Sequence, residues 1–104
     1  MLEKIAQAIA DYDNHKDSPE VLLESLKTLS TGGFFLAQEM AEQKIIFNSK
    51  VMRFMGDGDS ATLAEKRAKN ETPELQRIKT LIPQVNKTMD AIRSQLSWLK
   101  NEMR

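Results

Sequence analysis

No cysteine occurs among the 104 residues, so a disulfide framework, a thiolate nucleophile and a cysteine-bound zinc site are all excluded. Aromatic residues make up only 6%, few for a sheet-rich core, and there is one histidine and one tryptophan. No apolar run approaches the roughly 18 residues of a membrane span. The opening stretch, MLEKIAQAIADYDNHKD, lacks the charged-then-apolar layout of a signal peptide, which points to the cytoplasm. Net charge is also missing: 15 basic and 15 acidic residues cancel, which argues against nonspecific polyanion binding by the whole surface.

The cancellation is not local. Residues 1–24 carry two basic and six acidic side chains, 25–59 carry four of each, and 60–104 carry nine basic and five acidic. An acidic arm packing on a basic one, within or between chains, is the plainest account of that polarity.

Hydrophobic residues at 40% and charged residues at 29% suit a small all-α protein, expected as one domain over 1–104. Leu2, Ile5, Ile9 and Tyr12 fall at helical spacing. After the break at DNHKD, Ser18 and Pro19 form a capped start for a second short helix carrying Leu22, Leu26 and Leu29. The paired glycines of STGG are expected to end it, closing an acidic N-terminal region over 1–31. A long helix follows over 34–55. Leu36, Met40, Phe47, Val51 and Phe54 form one apolar stripe on it, and Ala37, Ala41, Ile45, Met52 and Met55 form a second. Two stripes exceed what one partner helix covers, which favours burial against more than one neighbour.

Residues 56–60, Gly-Asp-Gly-Asp-Ser, invite a metal or phosphate reading. As a calcium loop counted from Asp57, the segment fails at Ala61, Thr62 and Ala68, where a ligand, the turn glycine and the bidentate glutamate belong. As a phosphate loop it lacks the Gly-Lys-Ser/Thr ending, and its aspartates repel phosphate. A turn is the remaining reading, with glycine taking positive φ and Asp59 or Ser60 capping the next helix.

The arm over 61–104 is the most regular part of the chain. Leu75, Ile78, Ile82, Val85, Met89, Ile92, Leu96, Leu99 and Met103 alternate spacings of three and four, a coiled-coil-like heptad seam. The register extends back through Ala68, Ala64 and Ala61, failing only at Glu71, so 61–103 reads either as one bent arm or as two helices, with Pro73 and Pro83 off the seam and the packing face able to survive a bend at each. Trp98, at the c position, extends the packing beside it. These features predict a long helical hairpin or small bundle that oligomerises through the seam and the wide face of 34–55.

Catalytic signals are weak. His15 sits among charged residues in a break, no serine or threonine has a base at recognisable spacing, and the carboxylates of 11–24 lack an apolar setting that would separate their pKa values. Neither an enzyme nor a cofactor is expected. The basic residues say more: Lys50 and Arg53 share a helix face, and Lys66, Arg67 and Lys69 follow the glycine turn. If the chain doubles back there, all five gather at one end of the hairpin and could hold a phosphate backbone without reading bases.

A long basic helix, then GDGD, then AEKRAKNET, then a last helix with MDAIRSQLSWLKNEMR resembles the phage recombination-mediator family typified by UvsY. The run Asp90-Ala91-Ile92-Arg93-Ser94 is similar to one near the start of that family's last helical stretch. The resemblance covers roughly residues 44–104. It implies a ring-like helical oligomer that binds single-stranded DNA and helps load a recombinase onto strands covered by a single-strand-binding protein, in a bacterial host cytoplasm. Lys50 and Arg53 would contact the backbone. The alternative from a different class is a helical interaction or adaptor protein without nucleic-acid affinity.

Overall fold

A computed structural model describes residues 1–102; Met103, the last position of the expected seam, lies outside them. Among the described residues the chain forms four helices and no strand, an all-α fold: α1 (Leu2–Asn14), α2 (Pro19–Gly56), α3 (Ala61–Asn70) and α4 (Pro73–Glu102). No helix among them is long and apolar enough to cross a membrane. Tertiary contacts sort the chain into two compact units. The first is Met1–Phe35 with the segment from Ile82 onward, and the second is Leu36–Leu81.

In the first unit, α2 begins as its sequence predicts. Pro19 takes the first helical position, and Ser18 Oγ accepts the Val21 N–H at 3.4 Å. Ile5 and Ala8 of α1, Leu22 and Leu29 of α2, and Val85 and Ile92 of α4 are buried. Each such large side chain contributes about 1.5–3 kcal/mol on leaving water. Gln95 of α4 donates from Nε2 to the Lys16 carbonyl at 3.0 Å, tying the helix to the α1–α2 connection.

The expected break at STGG does not occur, because α2 runs through Gly32 and Gly33 without interruption. A Cβ added to Gly32 would stand 2.6 Å from Ile5 Cγ1, whereas one on Gly33 would meet nothing within 4 Å. Gly32 therefore serves close approach: α1 lays the buried Ile5 on bare backbone of α2, and the packing outweighs the helix cost of glycine.

In the second unit the chain reverses at the glycine turn, which is a Schellman cap. The Asp59 N–H donates to the Phe54 carbonyl at 3.1 Å and the Gly58 N–H to the Met55 carbonyl at 3.1 Å. Gly58 has φ of 105°, the only positive φ among the described residues. Ser60 then caps α3, its Oγ accepting the Leu63 N–H at 3.3 Å. Returning along α2, α3 sets Ala64 and Ala68 against Phe54, with Phe47 and Val51 packed on that cluster. Alanine at both positions removes the bulk that would hold the two helices apart.

Of the two readings of the C-terminal arm, residues 61–102 take the second, two separate helices. The Glu71 N–H closes the last turn of α3 on the Arg67 and Ala68 carbonyls, Thr72 lies between the helices, and α4 starts at Pro73. Proline fixes the residue before it away from helical backbone, so the break falls at Thr72. Pro83, by contrast, is carried inside α4. Of the heptad positions, Leu75, Ile78, Val85 and Ile92 are buried by this chain alone, and Ile82, Met89, Leu96 and Leu99 are half-buried. The seam expected to join separate chains is thus largely covered within one. Trp98, expected to extend that packing, is 53% exposed.

Candidate nucleic-acid interface

The five basic residues singled out from the sequence divide into two groups, both in the second unit. Around the glycine turn, carboxylates occupy three of them. Lys50 Nζ lies 3.5 Å and Arg53 Nη2 lies 3.6 Å from the same Glu71 Oε2, and Arg67 pairs with Asp59. Arg67 and Arg53 also lie over the Phe54 ring, at 4.1 and 5.0 Å from its centroid. The ring is almost wholly buried, so the two guanidiniums roof a core aromatic. The glycine turn puts Asp59 within reach of Arg67, and the end of α3 puts Glu71 opposite Lys50 and Arg53. These cations are arranged first to close the α2–α3 reversal.

Lys66 and Lys69 are differently placed. They are one turn apart on α3, and with Thr62, one turn earlier, they line a surface cavity of about 330 Å³. Gln76 and Lys79 from the first turns of α4 and Phe47 from α2 complete the wall, with Glu65 at its edge. Among the described residues, Lys66, Lys69 and Lys79 form no ion pair. Three cations against one carboxylate leave the concavity positive in a chain whose total charge is zero. Ammonium groups there, with a hydroxyl and an amide beside them, offer donors to an anionic oxygen.

Lys79, Gln76, Thr62 and Phe47 were not among the expected site residues. On one continuous helix Lys69 and Lys79 would stand about 15 Å apart along the axis, on no common surface. The break at Thr72 brings the first turns of α4 to the same hollow as α3. The Thr72-Pro73 pair was the available signal, and its effect on direction was not legible.

No protein-family model, curated protein or solved structure matches the chain.

Proposed function

We propose that this protein is a non-enzymatic accessory factor of phage DNA recombination that binds single-stranded DNA, assists recombinase loading and works in the host cytoplasm. The observation that carries the binding reading is the hollow lined by Lys66, Lys69 and Lys79, none of which forms an ion pair among the described residues. The order of the basic helix, the GDGD turn and the Asp90–Ser94 run supports the recombination context. Phosphate groups would be held in the hollow by charge, without base readout. Lys50, Arg53 and Arg67 would contribute to the field around it, reduced by Glu71 and Asp59.

One such hollow binds weakly. Repeating it around an oligomer makes later contacts intramolecular and raises the avidity. The test is a titration of a labelled oligonucleotide at two salt concentrations. Three phosphates neutralised per chain give a log–log salt slope of about −2 on single strands, at about −0.7 for each. Lys66→Ala with Lys69→Ala and Lys79→Ala should flatten the slope while leaving the helical signal unchanged. A folded protein that shows no binding at low salt refutes the reading. The exposed apolar residues of α2 support the second reading, an adaptor that binds only other helices. That reading predicts no salt-dependent oligonucleotide binding at all.

A further inference from the structure

We propose that the Phe47 ring in the lysine-lined hollow is a stacking platform for one unpaired base, so that the hollow holds a whole nucleotide of a single strand and not its phosphates alone. This rests on the nucleic-acid reading above and adds what separates a strand with free bases from any other chain of anions. The lysines account only for charge: Lys66 and Lys69 of α3 and Lys79 of α4 would serve any polyanion equally. They leave the size of the hollow and its aromatic wall unexplained. A phosphate group takes the space of a few waters, each about 30 Å³ in the liquid, against about 330 Å³ here. That volume lies at the lower end of the ~300–1,000 Å³ of pockets that hold organic ligands.

Phe47 belongs to the inner stripe of α2 with Leu36 and Phe54, which are buried, yet it is only half-buried itself. Ala64 and Ala68 bring α3 close enough to cover Phe54. Phe47, two turns earlier on α2, packs against the same cluster and also lines the hollow. One part of the ring is therefore held by the core, and what remains uncovered belongs to the hollow. A ring fixed by packing before any ligand arrives loses little freedom on binding.

The other lining groups suit the rest of a nucleotide. The Gln76 amide carries both a donor and an acceptor, as the edge of a base does, and the Thr62 hydroxyl can act as either. The lysines come from two helices, so phosphates on both sides of a base can each meet a cation. Among the described residues lining the hollow, Glu65 is the one group that repels phosphate. In a duplex each base is already stacked and its pairing edge is taken, so the ring and the amide would gain nothing there. A strand with unpaired bases satisfies ring, amide and lysines together, and stacking tolerates any base because every base has a π-face.

The test compares two labelled strands of equal length and equal phosphate count, oligothymidylate and an abasic strand, by fluorescence anisotropy with the full chain at several salt concentrations. Oligothymidylate should bind about 5- to 150-fold more tightly, the range of base–aromatic stacking. Both strands should give the same log–log salt slope, because the phosphates met are the same. Phe47→Leu keeps an apolar side chain on the Phe54 cluster and should lower oligothymidylate to the abasic affinity without changing the slope, whereas Phe47→Tyr should keep the preference. Equal, salt-dependent binding of the two strands by the wild type overturns the stacking platform while leaving phosphate binding in place, and that comparison needs no variant to fold. A preference for oligothymidylate that survives Phe47→Leu, with unchanged helical circular dichroism, overturns the assignment to Phe47. No binding of either strand at low salt refutes the nucleic-acid reading itself, and this proposal with it.

Discussion

Gly32 and Gly33 are neighbours in one helix, and replacing each by alanine should have opposite consequences. In a helix interior, alanine is better than glycine by about 0.8–1.0 kcal/mol. At Gly33 the added methyl meets nothing within 4 Å, so Gly33→Ala should realise most of that gain. For a domain of this size, 1 kcal/mol corresponds to about 4–8 °C in Tm. At Gly32 the methyl would lie 2.6 Å from Ile5 Cγ1 and 2.8 Å from its Cδ1. Carbon atoms pack at about 3.5–4.0 Å, so Ile5 has to move by about 1 Å. It cannot swing aside cheaply, being wholly buried and β-branched. Overpacking of this kind costs about 1–3 kcal/mol. Gly32→Ala should therefore be less stable than Gly33→Ala by about 1–3 kcal/mol, read by urea denaturation followed at 222 nm. In an Ile5→Ala background the clash disappears, and Gly32→Ala should become stabilising, the coupling expected of residues in contact. If Gly32→Ala stabilises the wild type as much as Gly33→Ala, the close approach of α1 to Gly32 is wrong.

Two further outcomes follow from the second unit. Glu71→Gln releases Lys50 and Arg53 from their shared carboxylate and removes a negative charge near the hollow. Oligonucleotide affinity should rise and the log–log salt slope steepen by up to about 1.4 if both cations then reach phosphates, with little change in Tm for so exposed a cluster; unchanged binding would show that Glu71 does not restrain them. Gly58→Val forces a β-branched residue to φ of 105° and should cost about 1–3 kcal/mol in thermal or chemical unfolding, whereas Asp57→Asn, on an exposed side chain, should leave stability unchanged. Equal stability of the two variants would contradict the Schellman cap.

The start of α2 at Pro19, the glycine turn and the cap by Ser60 were legible because each is local. A proline without an N–H, a glycine free to take positive φ, and a hydroxyl within reach of a backbone N–H act on neighbours in sequence. Gly32 shows where that locality fails. Its propensity reads as a helix end, but a buried isoleucine 27 positions away makes glycine the residue that fits within a helix. The basic residues show the same limit for the site. Their presence was legible, but which of them Glu71 and Asp59 would neutralise was not, because those pairs form only after the chain has reversed.

Periodicity, composition and local turn residues by themselves determined that this chain is helical, where its apolar stripes lie and that a turn falls at the glycines, observed between Gly56 and Ala61. Those features depend on backbone preference and on 3.6-residue spacing, which no distant contact is needed to set. Tertiary structure alone decided which stripe is covered. The seam of α4 and the Leu36–Phe54 stripe of α2 pack within the chain, while the stripe at Ile45 and Met52 is left to solvent. It also decided that Lys79 joins Lys66 and Lys69, through the change of direction at Thr72. Periodicity marks a face as apolar and says nothing of what lies opposite it; that is set by how the helices turn back on one another, and a turn of one or two residues carries almost no sequence record of its angle.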